Sequence, residues 1–289
     1  LAPGSATIDS ISILPAINGG VKFLSCGRRT ISEWTMVDSP SYALTVFSAI
    51  ELPGTTSTFP EYLTAIDCRP SAHHENQKLI VAGGSGGTVW LFRAHVVDDE
   101  AGAMLKFKLE GKFSALDGGI EHLQWRTNVS AIVVAGVSNK VKLIGLGMDA
   151  TSSPKTLCTT LVDGSVKSMT WEGNLKDGII GTDAGSIWYL SNNHGVTHSS
   201  TLARSHTSNI QEVSISSDGT LVASAGGADG ILRIWHEELM QDVLTLEVPP
   251  GNGHCNTTSF PITGGTRIVA AGYENGTVRQ FNLDSITAA

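Results

Sequence analysis

The sequence predicts an all-β architecture built from repeated four-stranded units, and three observations carry that expectation. First, the 289 residues include 32 glycines, with 41% hydrophobic and 16% charged residues, which suits short buried strands joined by tight turns. Second, two small residues, a short turn and an alternating strand recur six times. The copies are SCGRRTISEW (25–34), AGGSGGTVWLF (82–92), AGVSNKVKLI (135–144), GTDAGSIWYL (181–190), AGGADGILRIW (225–235) and AGYENGTVRQF (271–281). Their last bulky residues, Trp34, Phe92, Ile144, Leu190, Trp235 and Phe281, lie 58, 52, 46, 45 and 46 positions apart. Third, an apolar column at i, i+3 and i+5 precedes each turn. It reads Ile8/Ile11/Ile13, Leu63/Ile66/Cys68, Ile120/Leu123/Trp125, Val166/Met169/Trp171, Ile210/Val213/Ile215 and Cys255/Thr258/Phe260. The two columns drift together, and helical periodicity with caps is nowhere sustained. A period of about 45 residues with four strands per unit is the signature of a β-propeller blade.

The expected organisation is a single propeller over 1–289, with units at approximately 1–36, 42–93, 104–146, 156–191, 197–236 and 242–284. Six units are visible. The first lacks a clear leading strand and the last its outer one, so six and seven blades both stay open. Leu1–Thr7 is one segment that would pair with the final blade and close the ring. The chain starts without Met, which fits a fragment of a tandem-propeller protein. Surplus length in the early units falls in VDSPSYAL, LPGTTSTFPEYL and RAHVVDDEAGAM, expected as long loops.

In the clearest unit the strands are expected near 199–204, 211–216, 221–226 and 230–236. Val213 and Ile215 alternate with Ser214, and Leu232 and Ile234 alternate with Arg233. SSDGT and GADG supply turns, because Asp and Gly tolerate positive φ. The arrangement His206…Ser224…Asp229…Trp235 resembles the structural tetrad of WD40 repeats. The resemblance implies that His206 precedes the innermost strand, Ser224 lies on the second strand, Asp229 in the next turn and Trp235 near the end of the third strand. The other units depart from it. Phe92, Ile144, Leu190 and Phe281 replace Trp, and GGSGGT has no Asp, whereas Asp183 and Glu274 keep an acid in their turns.

GTDAGSIWYLS, ARSHTSNIQEVSISSDG and AAGYENGTVRQFNLD resemble consecutive repeats of the WD-repeat-containing protein 90, or proteome-of-centriole, family over about 180–284. The resemblance implies a large parent protein with more than one propeller, associated with the microtubule wall of centrioles and cilia. It places the chain in the cytoplasm, on the cytoskeleton of a centriole, basal body or cilium.

Other chemistries are tested against the same residues. A hydrolase triad of His206, Ser224 and Asp229 needs an exposed nucleophile, but Ser224 sits inside the apolar LVASA. SSDGTLV resembles a sialidase box only superficially, and no paired carboxylates stand out for a propeller hydrolase. His73 and His74 with Glu75, and His194 with His198, are read as solvated loop residues, because zinc needs three or four convergent ligands. VAGGSGGTVW leads into a strand without the lysine of a phosphate loop. The four separated cysteines, Cys26, Cys68, Cys158 and Cys255, suit reduced, buried thiols. A net charge of −8 argues against nucleic acid or an acidic membrane as the main partner, while leaving room for a local basic patch.

The expected function is therefore a non-enzymatic scaffold without cofactor or metal, binding protein partners in a centriolar or ciliary assembly, with a neighbouring propeller of the same chain among them. The alternatives are a WD40 adaptor in a ubiquitin ligase, transport or chromatin complex, and a propeller hydrolase. The resemblance to WD40 repeats implies that loops before innermost strands share one rim with the turns between second and third strands. Arg28, Arg29, Phe59, Tyr62, Tyr273 and Glu274 are the expected partner-binding residues there, being the aromatic, arginine and acidic side chains in those segments.

Overall fold

A computed structural model describes residues 8–17, 20–37, 43–51, 61–71, 74, 76–99, 102–126, 130–146, 153–171, 178–193, 196–204, 206–236, 241–247, 253–260 and 268–283. Every regular element among them is a strand. The first sheet holds β1 (Ser10–Ile17), β2 (Gly20–Gly27), β3 (Thr30–Val37) and β4 (Ala43–Glu51). The second holds β5 (Leu63–Pro70), β6 (Gln77–Gly84), β7 (Thr88–Asp99) and β8 (Gly102–Ser114). The third holds β9 (Ile120–Trp125), β10 (Ala131–Gly136), β11 (Lys140–Gly145) and β12 (Lys155–Leu161). The fourth comprises β13 (Val166–Trp171), β14 (Gly178–Thr182), β15 (Ser186–Asn193) and β16 (Val196–Arg204). The fifth comprises β17 (Ile210–Ile215), β18 (Leu221–Gly226), β19 (Ile231–His236) and β20 (Gln241–Glu247). The last has three strands among the described residues, β21 (Cys255–Ser259), β22 (Ile268–Tyr273) and β23 (Val278–Asn282).

Each sheet is an antiparallel meander, so short turns suffice and the second strand, paired on both sides, is the most deeply buried. β10 and β18 are buried at all six positions. The chain divides into two compact units: Leu1–Ser138 with Lys142–Leu157, and Asn139–Val141 with Cys158–Ala289. In the first, Ile66, Ile80, Trp90 and Phe92 pack with Leu14, Leu24 and Ile31 of the first sheet. The opposite face of the second sheet packs Val81, Val89 and Leu91 on Ile120, Leu123 and Trp125. In the second unit, Ile210, Val213 and Ile215 pack with Ile179 and Ile187 of the fourth sheet. Ala223, Leu232 and Ile234 pack with Cys255, Val269 and Tyr273 of the last.

Hydroxyl and carboxyl groups staple neighbouring first strands in both units. Ser10 Oγ accepts the Ile66 amide at 3.3 Å, and Ser168 Oγ accepts the Val213 amide at 3.0 Å. Asp67 joins three first strands, accepting the Ser12 hydroxyl at 3.0 Å and the Trp125 amide at 2.7 Å. Burial pushes its carboxyl above the usual aspartate range, although these donors pull the other way. Glu212 is raised by burial too, against the hydrogen bond donated by Ser168.

Several expectations need correction. The first sheet opens on β1, which carries Ile11 and Ile13 of the expected column, and the leading strand that the first unit lacks would fall before it, outside the described residues. Its apolar column is turned outward: Ile11 and Ile13 are 57% and 73% exposed, while Ser12 and Leu14 point inward. The period-2 alternation of SISIL fits either phase, and the structure takes the phase opposite to the expected one. RAHVVDDEAGAM does not form a long loop, because most of it extends β7 and β8 into a hairpin arm. The strand expected near 199–204 as part of the fifth unit pairs instead with β15. Sequence repeat and hydrogen-bonded sheet are thus offset by one strand. Leu1–Thr7 lies outside the described residues.

Candidate functional site

The turn between β18 and β19 meets the segment before β17, and four side chains join them. Trp235 Nε1 donates to Ser224 Oγ at 3.0 Å, Ser224 Oγ lies 2.9 Å from His206 Nε2, and His206 Nδ1 lies 2.9 Å from Asp229 Oδ2. A neutral imidazole protonated at Nδ1 completes a continuous donor-to-acceptor chain, with the serine hydroxyl donating to Nε2. Asp229 also accepts the amides of Thr207 and Ile231, both at 3.1 Å, so it organises the preceding segment and its own turn together. Local sequence prepares this geometry. Gly230 takes φ +64°, and Gly226 leaves room where a Cβ would collide with Asp229 and His206.

Chemically, the chain is a lock. Ser224 is fully buried and His206 nearly so, leaving the hydroxyl no open face toward a substrate. The arrangement has the residue types of a catalytic triad without an exposed nucleophile. Its hydrogen bonds are spent on tying two backbone segments together.

The same joint recurs with different chemistry. In the second sheet Glu61, from the segment before β5, accepts the Gly86 and Thr88 amides at 3.1 Å each. The acid missing from GGSGGT is therefore supplied from the opposite side of the joint. Asp183 accepts the Ser165 amide at 3.0 Å, and Glu274 lies 3.4 Å from the His254 amide. In the first sheet Trp34 Nε1 donates to Ser25 Oγ at 2.7 Å, reproducing half of the Trp235–Ser224 arrangement. In the fourth, Thr182 and Trp188 both donate to Asp163 at 2.9 Å. Multiple donors hold the Asp163 carboxyl below its usual range despite partial burial. Sequence reasoning missed Glu61 and Asp163 as lock residues; their signal was an acid two or three residues before an apolar strand.

The expected rim residues fall into different places. Arg28 is exposed at the β2–β3 turn, Tyr62 is 47% exposed before β5, and the Arg28 carbonyl accepts the Leu63 amide. Arg29 is half-buried beside Arg28, and Glu274 is exposed. Phe59 lies outside the described residues. Tyr273 is corrected: it is 6% exposed, opposite Cys255, inside the core cluster with Val269 and Ala271. Its place at the end of β22, one residue before the turn, turns the ring inward.

His73, Glu75 and His194 also fall outside the described residues, whereas His198 lies in β16 rather than a loop. No group of three or more metal-binding side chains occurs among the described residues.

The WD domain, G-beta repeat family model matches residues 197–236, the stretch that contains all four members of the lock. The crystal structure of Sqt1 from Chaetomium thermophilum superposes with a TM-score of 0.71, covering 98% of this chain and 71% of Sqt1 at 14% identity. The fold is a WD40 β-propeller. At that identity the likeness to Sqt1 concerns the WD40 fold alone. Among curated proteins the chain is similar to WD repeat-containing protein 90 from three vertebrates. Human identity is 26% over 300 residues, covering 97% of this chain and 16% of the relative. Mouse identity is 32% over 124 residues, and Xenopus tropicalis identity 33% over 127, each covering 42% of this chain. These matches cover 6% of the mouse protein and 7% of the frog protein. The chain thus spans less than a fifth of the length of these relatives. WD40 propellers generally serve as protein-interaction scaffolds, and the rim locks fit that use by holding loops and turns in fixed positions.

Proposed function

We propose that this WD40 propeller is a non-enzymatic interaction scaffold, one module of a large centriolar or ciliary microtubule-associated WD-repeat protein. The observation that carries the reading is the similarity to WD repeat-containing protein 90 along 97% of the chain. The buried state of Ser224 and His206 supports a structural rather than hydrolytic use of the tetrad. In this reading the rim presents Arg28, Arg29, Tyr62 and Glu274 to protein partners. Arg28 and Tyr62 are the most exposed of the cationic and aromatic members. The net charge of −8 assigns contact with the acidic microtubule surface to another part of the parent protein.

Proximity labelling from the full-length parent, with super-resolution imaging of the same tag, tests the reading. Centriole-wall or basal-body signal with centriolar neighbours is expected. Labelling dominated by ubiquitin-ligase, transport or chromatin components would replace it with the adaptor reading. Salt-sensitive co-sedimentation of this propeller alone with microtubules would overturn the division of labour between domains.

A further inference from the structure

Arg28 holds a backbone conformation that works against the fold, and it holds it next to an exposed aromatic. It is the first of two residues that turn the chain between Gly27 and Thr30, which pair across β2 and β3. Its φ is +48°, where a Cβ crowds the following carbonyl and hairpins of this length favour glycine. The β6–β7 turn meets the same demand with Gly87 at φ +84°. Strained residues of this kind cluster at binding and switch sites. The Arg28 side chain is exposed, and its guanidinium has neither ion pair nor hydrogen bond among the described residues. Asp9 lies beside the same hairpin, its amide donating to the Cys26 carbonyl at 2.9 Å, without pairing with Arg28.

Contacts within the first compact unit carry the rim onward from this turn. The Arg28 carbonyl accepts the Leu63 amide, which places Tyr62 next in line. Tyr62 and Ser85 hold each other twice. The Tyr62 amide donates to Ser85 Oγ at 3.0 Å, and the Ser85 amide donates to the Tyr62 carbonyl at 2.8 Å. A Cβ on Gly119 would lie 3.1 Å from the Ser85 carbonyl oxygen and 3.5 Å from a Val137 methyl, and the Val137 amide donates to the Gly119 carbonyl at 3.1 Å. Arg28, Tyr62 and Val137 therefore follow one another along one rim. Tyr62 is 47% exposed and Val137 57%. Between them Gly86, Gly118 and Gly119 have no side chains to keep a ligand's backbone away. Exposed Asp117 precedes Gly118, so the track has a cation at one end and an acid at the other.

With the rim as the scaffold's docking face, the reading on which this rests, we infer that the track takes an extended segment of a partner protein carrying one carboxylate and one aliphatic or aromatic side chain. The carboxylate pairs with Arg28, whose planar fork of N–H donors matches it, and the apolar side chain lies against Tyr62 and Val137. Two hydrogen bonds already fix the Tyr62 backbone, which lowers the ordering cost of contact. Asp117 disfavours a second acid at the far end and so sets the direction in which the segment runs.

The probe is a phage-displayed library of random twelve-residue peptides selected on the purified chain, with enriched peptides resynthesised, labelled with fluorescein and read by anisotropy. Enriched sequences should share an Asp or Glu at constant spacing from an aliphatic or aromatic residue. Arg28→Gly should weaken them about tenfold while raising the melting temperature, because glycine relieves the turn. Tyr62→Ser should also weaken them about tenfold, whereas Glu274→Gln, on the rim of the second unit, should change affinity less than about twofold. Replacing the acid of the peptide by Gln should remove the dependence on Arg28. Failure of any peptide to enrich, or enrichment without the acid–apolar pair, would overturn the site. Lost binding with a lowered melting temperature in Arg28→Gly would reduce Arg28 to a structural residue and overturn it as well. Peptides that answer to Glu274 but not to Arg28 or Tyr62 would overturn this track and keep the rim, whereas indifference to all three would count against the rim itself.

Discussion

Replacing His206 with Ala tests the lock most directly, provided that Ser224→Ala and the double variant are measured beside it. His206→Ala removes the two 2.9 Å contacts to Ser224 and Asp229. Ser224 keeps the Trp235 donor, and Asp229 keeps the Thr207 and Ile231 amides, so neither is wholly stranded. Two hydrogen bonds at about 1 kcal/mol each put the loss near 2 kcal/mol. Ser224→Ala takes the acceptor from the buried Trp235 N–H and the partner from His206 Nε2, and should cost about 2–3 kcal/mol. In the double variant the Ser224–His206 hydrogen bond, removed by each single change, is lost only once, so the total loss should fall short of the sum by about 1 kcal/mol. Urea titrations followed by tryptophan fluorescence give the four free energies, and amide exchange at Thr207 and Ile231 reports the local effect. Additivity of the two single losses would refute the relay from Trp235 to Asp229.

Arg28 is the one non-glycine residue with positive φ among the described residues, at +48°, where the turns of other sheets place Gly87, Gly185, Gly230 and Gly276. Arg28→Gly should therefore stabilise the protein by roughly 0.5–1 kcal/mol, read in thermal melts, while weakening any rim partner that uses the guanidinium. Glu33→Ala leaves buried Lys22 without that carboxylate and the Leu105 amide without its acceptor, and should cost about 3–5 kcal/mol in a urea titration. For Asp67 the raised pKa means that the folded state binds the proton more tightly than the unfolded chain. The site's contribution to stability is greatest below the unfolded value of 3.8 and falls as pH rises through the folded value. Asp67→Asn should abolish that slope, and unfolding free energies across a pH series around and above 3.8 compare the two proteins.

The tetrad was legible because its four residues lie at fixed offsets around one turn, in a repeat that kept all of them. Glu61 was harder to read, since the acid had crossed from the turn to the preceding segment, where its one signal was its place two residues before an apolar strand. The β7–β8 arm was misjudged for a compositional reason. VVDDEAGAM joins acids and small residues that resemble a loop, yet β-branched Val96 and Val97 pair with Leu105 and Met104 and continue the ladder. Tyr273 was misplaced because an aromatic beside a turn reads as surface, whereas one residue of offset decides between rim and core. The row of the second sheet that unites positions 69, 93 and 108 could not be seen in sequence, because register between strands, not distance along the chain, makes them neighbours.

The one-strand offset between repeat and sheet bears on how such a chain grows and how it can be cut. The recognisable repeat at 197–236 contributes β16 to the fourth sheet and β17, β18 and β19 to the fifth. What is copied in a duplication is therefore never what folds by itself. Each new copy would arrive with a strand owed to its predecessor and a vacancy to be filled by its successor. A break placed at the apparent boundary near residue 197 would strip the outer strand from an otherwise intact sheet, whereas one placed between β16 and β17 would spare both ladders. The segment around His206 sits at that second boundary, so the best-preserved lock in the chain guards the point where one sheet hands over to the next.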